Sequence, residues 1–175
     1  MEDQNIYQIE FSKKLNELGF AVHEGFDNTF RLNLNEDDLK GIAVKLITSE
    51  PINERIHGTK NNTEIKAIGY FRFNLSPESI ELNFYLFAFN NAIDDKVEFV
   101  IVPTYELRNR LNQRKCNTDM DQDMEVKFWL LPPENYLFET TYFGGEGEWW
   151  FIGGRMGKNT NMDFTQFLNQ WQTLR

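Results

Sequence analysis

The residue that stands out chemically is Lys45, set in the apolar run GIAVKLI from Gly41 to Ile47. An amine in a segment otherwise fit for a sheet interior is kept for one of two reasons. Either its stem packs on aromatics while its head reaches water, or the charge is wanted for chemistry. A second basic feature is RNRLNQRK, where Arg108, Arg110, Arg114 and Lys115 form a local patch. Such a patch could contact phosphates, or could simply place cations near a helix C-terminus, where the helix dipole favours them.

Three other patterns fail on spacing. Asp119, Asp121 and Asp123 open like a calcium loop, but Met124 stands where glycine must turn the chain and Leu130 where the closing glutamate belongs. GGRMGKNT has Ile152 in place of the leading glycine of a phosphate loop and Asn159 in place of its metal-binding hydroxyl. His23 and His57 are far apart in sequence, outside any helical metal spacing, and no cysteine stands near either.

The elements that would position these residues are legible from periodicity. Tyr7, Phe11, Leu15 and Leu18 fall at helical spacing, and Gly19 follows where a helix stops. FAVH, FRLNL and GIAVKLI are strand-like runs that form a meander, with the polar turn NEDDLK between the last two. Residues 48–64 are polar, contain Pro51 and Gly58, and are expected to be a loop or an insertion. IKAIGYFRFNL is a further strand, and NFYLFAF and VEFVIVP have the near-continuous apolar character of strands buried on both faces. After Pro103, Leu107 and Leu111 mark a second helix, with Thr104 as its N-cap and Glu106 in its first turn. VKFWLLP, YLFETTYF and EWWFIGG are later strands, the last carrying Trp149 and Trp150. At the end, Phe164, Phe167, Leu168, Trp171 and Leu174 form a helical stripe. Asp163 and Gln166 are spaced as a capping box, and Met162 with Phe167 as its hydrophobic staple.

This order of elements, with Glu10 in IEFSKKLNELGF and Lys45 in AVK, followed by FRFNL, NFYLFAF and VIVPTYEL, resembles the restriction-endonuclease-like, or PD-(D/E)XK, nuclease fold over residues 4–113. The resemblance implies a three-layer α/β domain with a mixed central sheet flanked by helices. It also implies that the first helix leads into a meander, with an aspartate on one strand and (Glu/Gln)-x-Lys on the next. In that family two carboxylates hold Mg or Mn, which polarises a scissile phosphate and generates hydroxide, while the lysine positions water or offsets developing charge. The resemblance therefore assigns Glu10, Asp27 and Lys45 as catalytic residues, with Glu10 and Asp27 as metal ligands. Two departures weaken the metal site. Ala43 stands two before Lys45 and has no oxygen to offer. In a hairpin with its turn centred near Asp38, the residue opposite Ala43 is Asn33, whose neutral amide is a poor ligand for a hard cation. Asp27 serves instead if the hairpin is longer or bulged. Glu10 also has a plainer role, as an exposed helix residue paired with Lys14.

Composition sets the remaining bounds. A chain of 175 residues fits one domain, 1–175, and can bury a full core, and an aromatic share of 15% points to that core being aromatic. A net charge of -9 opposes broad binding to phosphate backbones, so any nucleic-acid contact must be local. Cys116 is alone, which excludes an internal disulfide, and MEDQNIYQIEF lacks the features of a secretory leader. A cytoplasmic protein that avoids membranes is expected. Two functions follow as expectations. One is a nuclease-like, catalytically impaired protein associated with nucleic acid or serving a defence system, a metal-dependent phosphodiesterase if active, with no cofactor or only weakly bound Mg or Mn. The other is an acidic protein-protein interaction module, such as an immunity or anti-restriction factor, whose charge attracts a basic partner.

Overall fold

Successive side chains of a strand face opposite ways, so a strand that is apolar on both faces needs a covering layer on each. The computed structural model describes residues 3–34, 41–50, 58–60, 63–74, 81–91, 96–112, 123–131, 136–139 and 163–175. It meets that need with a helix on one side of a central sheet, and a second sheet together with a second helix on the other. In chain order the elements are α1 (Asp3–Glu17), β1 (Ala21–Glu24), β2 (Thr29–Asn33), β3 (Ile42–Thr48), β4 (Gly58–Lys60), β5 (Thr63–Asn74), β6 (Phe84–Asn91), β7 (Lys96–Pro103), α2 (Thr104–Asn112), β8 (Asp123–Leu131) and β9 (Tyr136–Glu139). Short 3₁₀ turns at Thr165–Phe167 and Trp171–Leu174 follow.

The central sheet has the order β1-β2-β3-β6-β7, and the second sheet the order β4-β5-β8-β9. The strands β1, β2 and β3 form the expected antiparallel meander. β6 runs parallel to β3, and β7 returns antiparallel, so the central sheet is mixed. Parallel neighbours need a long crossover between them, and here β4 and β5 of the second sheet lie within it. Part of the stretch expected to be a loop, 48–64, is therefore strand, while residues 51–57 lie outside those described.

The two faces of the central sheet have separate cores. Phe30, Leu32, Val44 and Leu46 pack against Tyr7, Phe11 and Leu15 of α1, where Phe11 meets Phe30 edge-on at 4.9 Å between ring centroids. On the other face Ile47, Tyr85, Phe87, Val100 and Val102 meet Phe71, Phe73, Val126 and Phe128 of the second sheet. Phe87 lies 5.1 Å from Phe71 and 5.6 Å from Phe128, both in the edge-on geometry that ring quadrupoles favour. β6 and β7 are buried on both faces as their composition predicts. The fold is thus α/β and layered, with the second sheet joining α2, through Leu107 and Leu111, on the flank where helices were expected. Alternation in β5 and β8 is the reason, because Phe71, Phe73, Val126 and Phe128 give those strands one apolar face to lay against the centre.

The C-terminal stripe also folds differently from its pattern. Asn169 takes a left-handed conformation, φ 53, which breaks the helix that the spacing predicts. Its N–H donates to the Phe99 carbonyl at 2.7 Å and its Oδ1 accepts from the Phe99 N–H at 3.0 Å, while Leu168 bridges Val100. The segment therefore crosses the outer edge of β7. Phe164 and Phe167 join the core between the sheets, and Trp171 and Leu174 join the core under α1. Asp163 Oδ1 accepts from the Thr165 N–H at 2.9 Å instead of completing a box with Gln166, and Met162 lies outside the described residues. The Thr104 hydroxyl is buried with no hydrogen-bond partner among the described residues, so it does not cap α2. EWWFIGG, Asp119 and Asp121 also lie outside the described residues, whereas Asp123 opens β8. Among the described residues no helix is long and apolar enough to cross a membrane.

Candidate functional site

The site begins with a turn. β1 and β2 are joined through Gly25–Asn28, and Asp27 (φ 55) and Asn28 (φ 54) are both left-handed. That pair of conformations matches the twist of a tight hairpin, and Asp and Asn tolerate it better than other residues with a Cβ. The Thr29 N–H donates to the Phe26 carbonyl at 3.2 Å, and the Gly25 N–H to the Thr29 carbonyl at 2.7 Å. The turn sends consecutive side chains to opposite sides of the sheet. Asn28 Oδ1 accepts from Gln8 Nε2 of α1 at 3.2 Å, while Asp27 Oδ2 accepts from Lys45 Nζ at 2.6 Å. The Leu46 N–H donates to the Asn28 carbonyl at 2.9 Å, tying the turn to β3.

Register explains why Asp27 reaches Lys45. Thr29 stands opposite Lys45 and Arg31 opposite Ala43, while Asn33 pairs with Ala21 on β1. The expected partnership of Asn33 with Ala43 is thus displaced by two residues. Asn33 is buried, and a Cβ at Gly41 would collide with its Oδ1, so glycine is what lets β3 start beside it. Lys45 in turn alternates with Val44 and Leu46, which puts it on the face away from α1.

There it belongs to a cleft of ≈ 970 Å³. His23, Arg31 and Lys45 floor this cleft from three neighbouring strands, and Asn74 and Glu81 line it from segments beyond the meander. Among the described residues, no ion pair engages His23, Arg31 or Glu81. Phe26 forms part of the rim and is 92% exposed. Leaving that ring in water forgoes roughly 1.5–3 kcal/mol of burial, which sets it apart from the buried rings of the two cores. The Lys45 side chain is 19% exposed and that of Asp27 62% exposed. With the carboxylate largely in water, the pair adds under about 1 kcal/mol to stability, and its effect is to orient the amine.

The other residues singled out in the sequence fall elsewhere. Glu10 rides on α1, on the opposite side of the sheet from the Lys45 amine, and pairs with Lys13 at 3.5 Å instead of with Lys14, which binds Glu17 at 3.1 Å. Glu10 and Asp27 therefore do not come together around one point. Arg110 is not on the surface at all. It is 7% exposed, its Nε donates to Glu106 Oε1 at 2.7 Å and its Nη1 to the Asp163 carbonyl at 2.6 Å, and its guanidinium lies over the rings of Phe164 and Phe167. It anchors the C-terminal segment to α2. Arg108 sits half-buried on α2, and Arg114 and Lys115 lie outside the described residues.

A divalent cation does not fit what the cleft offers. A hard cation wants several charged oxygens. Asp27 already has an ammonium 2.6 Å away, and among the described residues no group of three or more His, Cys, Asp or Glu side chains could hold a metal. The cleft is instead a mixed-charge recess with an aromatic rim. Arg31 was the residue hardest to see in advance. Its signal is the alternation in FRLNL, where Phe30 and Leu32 face α1 and Arg31 must face the other way, but only the register puts it beside Lys45. Compared with protein-family models, curated proteins and solved structures, the chain gives no match in any of the three.

Proposed function

We propose that this chain is a nuclease-like protein without hydrolytic capacity that associates with nucleic acid as an accessory component, such as one serving a defence system. The observation that carries this reading is the Asp27–Lys45 pair at 2.6 Å, on the far side of the central sheet from Glu10. The meeting of this lysine with one carboxylate, at a meander that follows a first helix, supports the restriction-endonuclease-like reading. Hydrolysis by that route needs at least two carboxylates on a common metal, and here Glu10, the second that the resemblance assigns, is on the other face. Among the described residues no group of three or more His, Cys, Asp or Glu side chains could hold a metal. What is left is a lysine held in a cleft, able to bind but not to run the reaction.

The test is incubation of the protein with supercoiled plasmid and magnesium or manganese, alongside a band-shift assay on single- and double-stranded DNA and RNA at low salt. No nicking, with binding to at least one nucleic acid, is expected. Nicking that disappears in Lys45→Ala would overturn the loss of activity, and absence of any nucleic-acid binding would overturn the association.

The acidic interaction module is a second reading, supported by the net charge of -9. It expects a basic protein partner and no affinity for nucleic acid. The same band-shift assay separates the two.

A further inference from the structure

We infer that the cleft beside Lys45 takes a single nucleotide unit, with an unstacked base laid on Phe26 and its phosphate held by Arg31 and His23. This rests on the nucleic-acid reading above and names the part of the ligand that the cleft would recognise. Phe26 contributes a bare aromatic face, 92% exposed, to a cleft whose floor carries three basic side chains. His23 stands directly across from Arg31, and Lys45 is diagonal to it on the next strand. Diagonal neighbours of this kind lie about 7–8 Å apart, close enough for one phosphate to reach more than one of the long side chains. Arg31 has no ion-pair partner among the described residues, so its donors are open to a phosphate.

The acids of the cleft decide what kind of nucleic acid fits. Asp27 neutralises Lys45, and Glu24 and Glu81 also line the recess. Together with a net charge of -9, they oppose the dense phosphates of a duplex. A duplex also hides the faces of its bases, and a ring can stack only on a base that is free. One phosphate and one free base is what a strand end, a single strand or a free nucleotide presents.

The experiment is fluorescence anisotropy on the full chain at low salt, with a labelled oligothymidylate of about ten nucleotides, the matching duplex, and thymidine monophosphate as competitor. Tighter binding to the single strand than to the duplex is expected. Phe26→Ala and Arg31→Ala should each weaken it about tenfold, and Phe26→Trp should restore it. Asp27→Asn should tighten binding, because it frees the Lys45 amine for the phosphate. Competition by the monophosphate points to a free nucleotide as the natural ligand and its failure to a strand, and either outcome supports the cleft. If the oligonucleotide binds but ignores Phe26 and Arg31, the inference is wrong while the nucleic-acid reading stands. If neither strand form binds, both are wrong. Weaker binding in Asp27→Asn overturns the inference.

Discussion

On one face of the β1–β3 meander, Phe30, Leu32, Val44 and Leu46 are sealed beneath α1. On the other, Thr29, Arg31, Ala43 and Lys45 floor an open cleft. The two sets alternate along the same strands, so local propensity does not separate them. Coverage does. The core between the sheets takes Ile47 from β3 but nothing from β1 or β2, so among the described residues the second sheet covers β6 and β7 and leaves the meander open on that side. A face left open can carry polar and charged residues at little cost, and this one does.

The sharpest way to break the contrast is Phe11→Ala on the sealed face. Phe11 is fully buried against Phe30, Phe99 and Trp171, and its loss should cost about 3–5 kcal/mol by urea denaturation. A loss below about 1 kcal/mol would mean that α1 does not seal this face of the sheet. Next comes Arg110→Ala, at the covered end of the other face. It removes the hydrogen bonds to Glu106 and to the Asp163 carbonyl and the stacking on Phe164 and Phe167, and should cost about 2 kcal/mol. Arg110→Lys should recover only part of this, since an ammonium cannot reproduce the planar fork. In the cleft the effects should be small. Lys45→Ala should change stability by at most about 1 kcal/mol, because its partner Asp27 is largely solvated. Phe26→Ala should stay within about 0.5 kcal/mol, and a larger loss would show that its ring is held by something other than water.

The helical spacing of Tyr7, Phe11 and Leu15, and the apolar runs that became β6 and β7, could be read directly, because burial imposes those periods on the sequence itself. The closing stripe could be read only by half. Its apolar residues are indeed buried, but a helix would put them all on one side, and Asn169 instead divides them between two cores. Nothing in the spacing announces that, since the hydrogen bonds that hold Asn169 come from Phe99, 70 residues away. Arg110 carries the same lesson. In a run of cations it reads as surface charge, and only the docking of Phe164 and Phe167 onto α2 turns it into a buried anchor.

The candidate site divides in the same way. That Lys45 is a charge in a strand, with its neighbours facing the opposite way, follows from alternation alone, because a pleated backbone leaves no other choice. Which acid it meets was settled by hairpin register and by a left-handed turn at Asp27 and Asn28, and which side of the sheet Glu10 occupies was settled by how α1 docks. Those are long-range packing outcomes. A short strand carries the pattern of its own faces, but the identity of what covers each face is written elsewhere in the chain.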